Sequence, residues 1–310
     1  MKVAALDLGS NTFLCLICEV DFKAEREIGP KEPVIQQVYA DEVEVVRLGQ
    51  GLQVNKKFHP DALARADVCL QKFKKIIDQY QPEKILAMAT AAAREAENKE
   101  QLFEICNKHG IPLEIIPGEK EAQITYTGAT SAAQSNKKRL VLDIGGGSTE
   151  YILGESLNIL FAQSFPIGCV KLTEKFILSQ PTSNNEVEAC RAEIQKTLAH
   201  LSIAQVDEVL AVAGTPTTLA AVEIGGLFDP KKIDGYRMTL SHLQSWLQKL
   251  KPLSVIEKQS LGFPQGRADV ILVGVLILIE TLKKFQLNEL IVSTRGVRYG
   301  IALEIARRTL

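Results

Sequence analysis

Charge of either sign is nearly absent as a net quantity: 36 lysines and arginines face 37 aspartates and glutamates over 310 residues, a formal −1. That balance argues against nucleic acid or a membrane surface as the main partner. The local basic runs, Asn136-Lys137-Lys138-Arg139 and Lys231-Lys232, read as solvated loops. Long apolar runs are missing too. The longest, Val270 to Ile279, stops at Glu280 and is too short to span a bilayer, so it reads as a buried helix. No leader precedes the first apolar strand, since Met1-Lys2 runs straight into it, and a reducing cytoplasm with free thiols is expected. Cysteine is sparse and unclustered. Cys15-Leu16-Ile17-Cys18 has a redox or zinc spacing, but it lies inside an apolar strand with no second pair at zinc-site spacing, so buried thiols are expected. No low-complexity linker interrupts the chain.

What is present is an internal repeat. Ala5-Leu6-Asp7-Leu8-Gly9-Ser10-Asn11-Thr12 matches Val141-Leu142-Asp143-Ile144-Gly145-Gly146-Gly147-Ser148-Thr149. Each is an apolar run ending in Asp, then a Gly-rich turn, then a second apolar run. Hydrophobic content of 46% allows a well-buried core, and the length suggests about two domains. Strand patterns alternate with helical ones throughout. Residues 2–20 form a hairpin, 34–48 further strand, 61–80 an amphipathic helix, 84–90 a strand, 91–109 mostly helix and 119–134 a helix rich in small residues. After the second hairpin come helix 186–201, strand 208–213, helices near 240–250, 254–262 and 267–285, strand 289–292 and a closing helix to Arg308. The class is therefore α/β, with two related lobes, a seam near residue 125 and a ligand crevice between them.

The chemistry-bearing residues gather at the turns. Asp143 and Glu150 flank the Gly-rich turn, so a hairpin places both carboxylates on one pocket, a set suited to Mg²⁺. Gly145-Gly146-Gly147 offers N–H donors to phosphate oxygens. Asp7, Ser10, Asn11 and Thr12 form the counterpart, with neutral donors. Glu121 opens a helix, where an acid is ordinarily a dipole-favourable cap. Arg94 stands just past a strand, where a bidentate grip on phosphate or a surface salt bridge are both open.

These segments resemble the exopolyphosphatase/guanosine pentaphosphate phosphatase family, within the superfamily of actin, heat-shock ATPases and sugar kinases. The matching stretches are Ala5–Phe13, Thr90–Asn98 (TAAAREAEN), Gly118–Tyr126 (GEKEAQITY), Leu142–Tyr151 (LDIGGGSTEY), Pro166–Leu172 (PIGCVKL), Gly214–Leu219 (GTPTTL), Arg267–Gly274 (RADVILVG) and Ser293–Gly300 (STRGVRYG), in the family's order and nearly end to end. The resemblance implies two actin-like, ribonuclease H-like domains, residues 1–124 with 299–310 and residues 125–298. It implies Glu121 as the base that activates water, assisted by Arg94. Asp143, Glu150 and the Gly145 carbonyl look like the Mg²⁺ site, with Mn²⁺ as a substitute. Asp7, Gly9, Ser10, Asn11, Gly146, Gly147 and Ser148 would surround terminal phosphates, and Lys171, Arg267 and Arg298 are further contacts or else lobe-internal salt bridges. Three positions depart from the family's pattern: Lys120 where a second acid is common, Pro216 within the Gly-Thr-rich turn, and Thr294 where Asp is common. The helical domains that follow the core in longer members are expected to be missing.

The implied activity is release of terminal orthophosphate from inorganic polyphosphate. The alternative is release of the terminal phosphate from the 5′-triphosphate end of guanosine pentaphosphate. A sugar or acyl kinase lacks the expected Cys-rich zinc segment, and a non-catalytic nucleotide sensor or filament former would not need Glu121, Asp143 and Glu150. A homodimer is left open.

Overall fold

The computed structural model describes residues 1–23, 32–132, 136–203, 205–226 and 228–309. It divides into two compact units, Met1–Ala133 with Arg295–Leu310, and Gln134–Thr294. In chain order the first unit contains β1 (Lys2–Leu8), β2 (Thr12–Lys23), β3 (Glu32–Val45), α1 (Leu52–Asn55), α2 (Pro60–Tyr80), β4 (Lys84–Ala89), α3 (Ala91–Glu95), α4 (Glu100–Lys108), β5 (Leu113–Ile115) and α5 (Gly118–Thr130). The second contains β6 (Lys138–Ile144), β7 (Thr149–Glu155), β8 (Asn158–Phe165), α6 (Cys169–Phe176), α7 (Asn184–Ala199), β9 (Glu208–Val212), α8 (Gly214–Glu223), α9 (Pro230–Ile233), β10 (Arg237–Thr239), α10 (Leu240–Leu250), α11 (Val255–Ser260), α12 (Ile271–Lys284) and β11 (Glu289–Val292). Helix α13 (Val297–Arg307) belongs to the first unit.

The two sheets repeat one topology. The first runs β3-β2-β1-β4-β5 and the second, read from the same edge, β8-β7-β6-β9-β11-β10. In each, three antiparallel strands are followed by two parallel ones: β1 pairs β4 and β4 pairs β5 in parallel, as β6 pairs β9 and β9 pairs β11. The second sheet adds β10, antiparallel to β11, so the repeat seen at the hairpins extends over five strands of each sheet.

Strand periodicity decides which residues reach a site. Along β1, Ala4, Leu6 and Leu8 enter the cluster packed with Leu70, Phe73 and Ile77 of α2. Val3 and Ala5 enter the opposite cluster, with Ile124 of α5 and Ile301 and Leu303 of α13. Side chains alternate faces along a strand, so Asp7 shares the α5/α13 face. On β6, Leu140, Leu142 and Ile144 join the second unit's core together with Tyr151 and Leu153 of β7. Asp143 and Glu150 consequently lie on the other face.

The units divide at 133/134 and 294/295, where the sequence suggests 124/125 and 298/299, so the first boundary falls later and the second earlier. Helix α5 runs unbroken to Thr130 and packs backbone to backbone on α13: a Cβ on Gly300 would stand 1.9 Å from the Ile124 carbonyl oxygen, and one on Gly128 2.2 Å from that of Gly296. The helix expected over 91–109 is two, α3 and α4, separated at 96–99. The long helix begins at Ile271 rather than Arg267, and β8 and α6 have no counterpart among the expected elements. All six cysteines are buried and free, and burial pushes both Cys15 and Cys18 up to about 12, as expected for inert strand thiols. Among the described residues no helix is long and apolar enough to cross a membrane.

Candidate active site

The first unit's residues are set by β1, α3, α5 and α13. Asp7 sits one residue before the end of β1, only 9% exposed. The following turn is closed by the Gly9 N–H donating to the Thr12 carbonyl at 3.2 Å. The Asn11 carbonyl accepts from the N–H groups of Val46 and Arg47 at 3.0 and 2.8 Å, and Ser10 accepts from Gly49 at 2.8 Å, so strand β3's exit braces the turn. Ser10 is exposed.

Glu121 lies in the first turn of α5, where its backbone N–H donates to Pro117 at 3.0 Å. Arg94, in the last turn of α3, reaches it: Nη1 donates to Glu121 Oε2 at 2.7 Å and to the Ile116 carbonyl at 2.9 Å. Arg94 thus forms the salt bridge that the sequence left open, and its partner is Glu121. Nε and Nη2 of Arg94 have no partner among the described residues, leaving two donors for an anion.

Of the two roles left open for Arg298, the structure shows the internal salt bridge. Its Nε and Nη2 donate to both carboxylate oxygens of Asp41 at 2.6 and 2.8 Å, it is 6% exposed, and the Tyr299 hydroxyl donates to the same carboxylate at 3.3 Å. It is an internal anchor of α13 to β3. Its charge is nevertheless felt by Asp7. Burial, then the Glu121 carboxylate, push the Asp7 carboxyl up to about 7, against the opposing pull of Arg298. Asp41 and Tyr299 were not singled out from sequence; neither stands in a turn motif.

In the second unit, Asp143 pairs Glu150 directly across β6 and β7, and Ile144 pairs Thr149. Directly opposed residues project on the same side. Glu150 is oriented by two hydroxyls, Ser148 Oγ and Ser164 Oγ, each donating to Oε1 at 2.6 Å. Ser164, on β8, is a partner that no sequence signal marked.

The Gly-rich turn is fixed by α6. Gly145 accepts from the Cys169 N–H at 3.0 Å, and Gly146 from those of Val170 and Lys171, both at 3.0 Å. The turn's carbonyls therefore satisfy the first N–H groups of α6. In a trans peptide the C=O and the next N–H point oppositely, so the N–H groups of Gly146 and Gly147 aim away from α6. This seating demands Gly168: a Cβ there would stand 2.2 Å from the Gly146 oxygen. Gly147 has open space around it. The Gly145 carbonyl, expected as a metal ligand, already accepts one hydrogen bond and keeps one lone pair.

Lys171 is exposed on α6 and forms no side-chain bond among the described residues. The half-buried Arg267 guanidinium likewise has no hydrogen-bond partner among them; it lies against Gly214, whose Cβ would stand 2.3 Å from its Cζ. Of the departures, Lys120 pairs Glu304 at 2.9 Å. Pro216 falls in the first turn of α8, where a missing N–H costs nothing. The Thr294 N–H donates to Asp234 at 3.0 Å.

Two carboxylates on one strand pair, with N–H groups facing away from α6 beside them, fit a Mg²⁺ ion that keeps several waters. Among the described residues no three His, Cys, Asp or Glu side chains form a closed cage, which such an ion does not require. Cavities of about 450 and 510 Å³ in the second unit are lined by α10 and its neighbours and include none of these residues.

A duplicated sheet of this order, each copy carrying an Asp and a Gly-rich hairpin, defines an actin-like α/β protein. The chain belongs to the Ppx/GppA phosphatase family, whose model matches residues 28–309. It is 30% identical to exopolyphosphatase 2 of Mycobacterium tuberculosis, over 98% of either chain. It is 34% identical to a bifunctional 3-dehydroquinate synthase/phosphatase of Fusobacterium nucleatum over 97% of its length, and spans 46% of that protein. The crystal structure of the Aquifex aeolicus Ppx/GppA family member is similar at a TM-score of 0.85 and 28% identity, covering 100% of this chain and 98% of that one.

Proposed function

We propose that this protein is a Mg²⁺-dependent phosphohydrolase that releases terminal orthophosphate from a phosphoanhydride chain, inorganic polyphosphate first. The observation that carries it is the Asp143–Glu150 pair set beside a Gly-rich turn whose N–H groups face outward. Asp143 and Glu150 would hold the ion, with the remaining lone pair of Gly145 as a third ligand; Mn²⁺ would substitute. The ion supplies charge neutralisation to the phosphate oxygens when bound.

The chain's own residues account for the rest. Gly146 and Gly147 N–H groups and Ser148 orient phosphate oxygens. Glu121, steadied by Arg94, takes the proton of the attacking water as the P–O–P bridge breaks. Arg94 donates its two remaining N–H directions to the phosphoryl group. Such a reaction needs positioning and electrostatics more than covalent chemistry. Lys171 and Arg267, both without side-chain hydrogen bonds among the described residues, are the cations to follow the rest of the chain. Six buried free thiols support a reducing, cytoplasmic setting.

The test is orthophosphate release from long polyphosphate, short polyphosphate and guanosine pentaphosphate, compared as kcat/KM. Turnover of a polyphosphate with Mg²⁺ is expected. Preference for guanosine pentaphosphate would move the assignment to the alternative, and phosphate transfer to an added sugar would replace it with a kinase.

A further inference from the structure

Asp7 is a buried acid, 9% exposed, to which no donor among the described residues is bonded. Its cross-strand neighbours on the same face are apolar, Leu14 on β2 and Met88 on β4. The charges acting on it come from two helices. Glu121 of α5 is negative, and Arg298 of α13 has two of its donor groups fixed on Asp41. Arg94 bonds Glu121 and not Asp7. A carboxylate in such surroundings is largely withdrawn from water with no protein donor among the described residues, and burying it ionised is costly.

A buried polar group without a partner calls for a ligand, and the fold puts this one beside the first Gly turn. An ionised carboxylate would repel phosphate there; a neutral carboxyl has an O–H to give. We propose that Asp7 meets the terminal phosphate as the neutral acid, donating its carboxyl O–H to a phosphate oxygen, so that phosphate is held only while Asp7 keeps its proton. The proposal rests on the reading of the protein as a phosphoanhydride hydrolase. The level near 7 to which burial and Glu121 raise this carboxyl agrees with it.

Three measurements without turnover test it. In ¹³C-aspartate-labelled protein, the assigned Asp7 carboxyl carbon is expected to titrate near 7; titration in the ordinary carboxylate range would overturn the idea. Sulfate, whose charge is constant across this range, then serves as the phosphate probe in metal-free protein. Wild-type affinity should fall about tenfold per pH unit above pH 7, while Asp7→Asn, which keeps an N–H donor at the same place, should bind sulfate independently of that step. A wild-type profile that is flat, or an unchanged slope in Asp7→Asn, would overturn it. The third is thermal stability. A carboxyl whose folded value is raised from 3.8 to about 7 favours the folded state fully below the lower value, and that contribution is lost as pH rises through the upper one. Asp7→Asn should therefore gain in Tm over wild type between pH 5 and pH 8, and an equal Tm difference at both ends would count against the proposal. Failure of polyphosphate turnover would sink the hydrolase reading and leave all three results interpretable.

Discussion

Glu121 shows how far one side chain can be read. Its place at a helix start was legible, but a helix-start acid is ordinarily a cap; what distinguishes it is Arg94, 27 positions earlier and 2.7 Å away. Tertiary pairing of that span leaves no periodic trace. Glu121→Gln keeps the shape and removes the base, so kcat should fall by about 10²–10⁴ with substrate binding retained; single-turnover phosphate release on folded mutant protein checks it, and near-normal turnover would remove Glu121 from the mechanism. The facing of Asp143 and Glu150, by contrast, was legible from the hairpin and its matching first loop, because the two acids flank a Gly-rich turn and pair directly across it. Asp143→Ala and Glu150→Ala should each raise the Mg²⁺ concentration needed for half-maximal rate, and wild-type activity should vanish with EDTA. Activity that survives thorough chelation would exclude this site. Arg298 lies in a family-like segment that left two roles open, and its guanidinium pairs with Asp41, 257 positions away, a partner no local pattern marks.

Among elements, strands with strict burial were the most legible. From Val3 to Leu8 every β1 residue is buried, and the alternation of faces places Asp7 without further information. Strand β8 was not, since most of its residues are exposed and its pattern resembles a polar loop. The pairing of α5 with α13 was also invisible, because its signal is the absence of side chains at Gly128 and Gly300. That contact is testable. Gly300→Ala drives a Cβ into the Ile124 carbonyl at 1.9 Å, a backbone atom that cannot rotate away. Overpacking of this kind costs about 1–3 kcal/mol or more, so the denaturation midpoint should drop well below wild type. Gly118→Ala, with nothing within 4 Å of its Cβ, is the control and should be neutral. Equal midpoints for the two variants would mean that the helices do not meet as described.

At the scale of the whole molecule, the duplication was the most durable inference, since matching hairpins implied matching sheets and the strand orders bear it out. The exact seam was not, because helix α5 crosses the expected point without a break. Whole-chain charge governs the remaining question of substrate. A net −1 provides little long-range attraction for a polyanion, so the proposed reading requires local recognition, with the Gly-turn N–H groups and cations such as Arg94, Lys171 and Arg267 as its candidates. A long polyphosphate adds charges that such a surface cannot follow, and rate per chain end should stop rising once the nearest few phosphates are held. Short chains should therefore be used at least as well as very long ones, and KM should increase with ionic strength as screening shortens the reach of exposed cations. Chain-length series at matched concentrations of ends, run at low and high salt, decide the matter. A steep rise of kcat/KM with polymer length would require an extended basic track, and guanosine pentaphosphate outcompeting every polyphosphate would direct attention to a nucleoside contact at the Gly214–Leu219 turn.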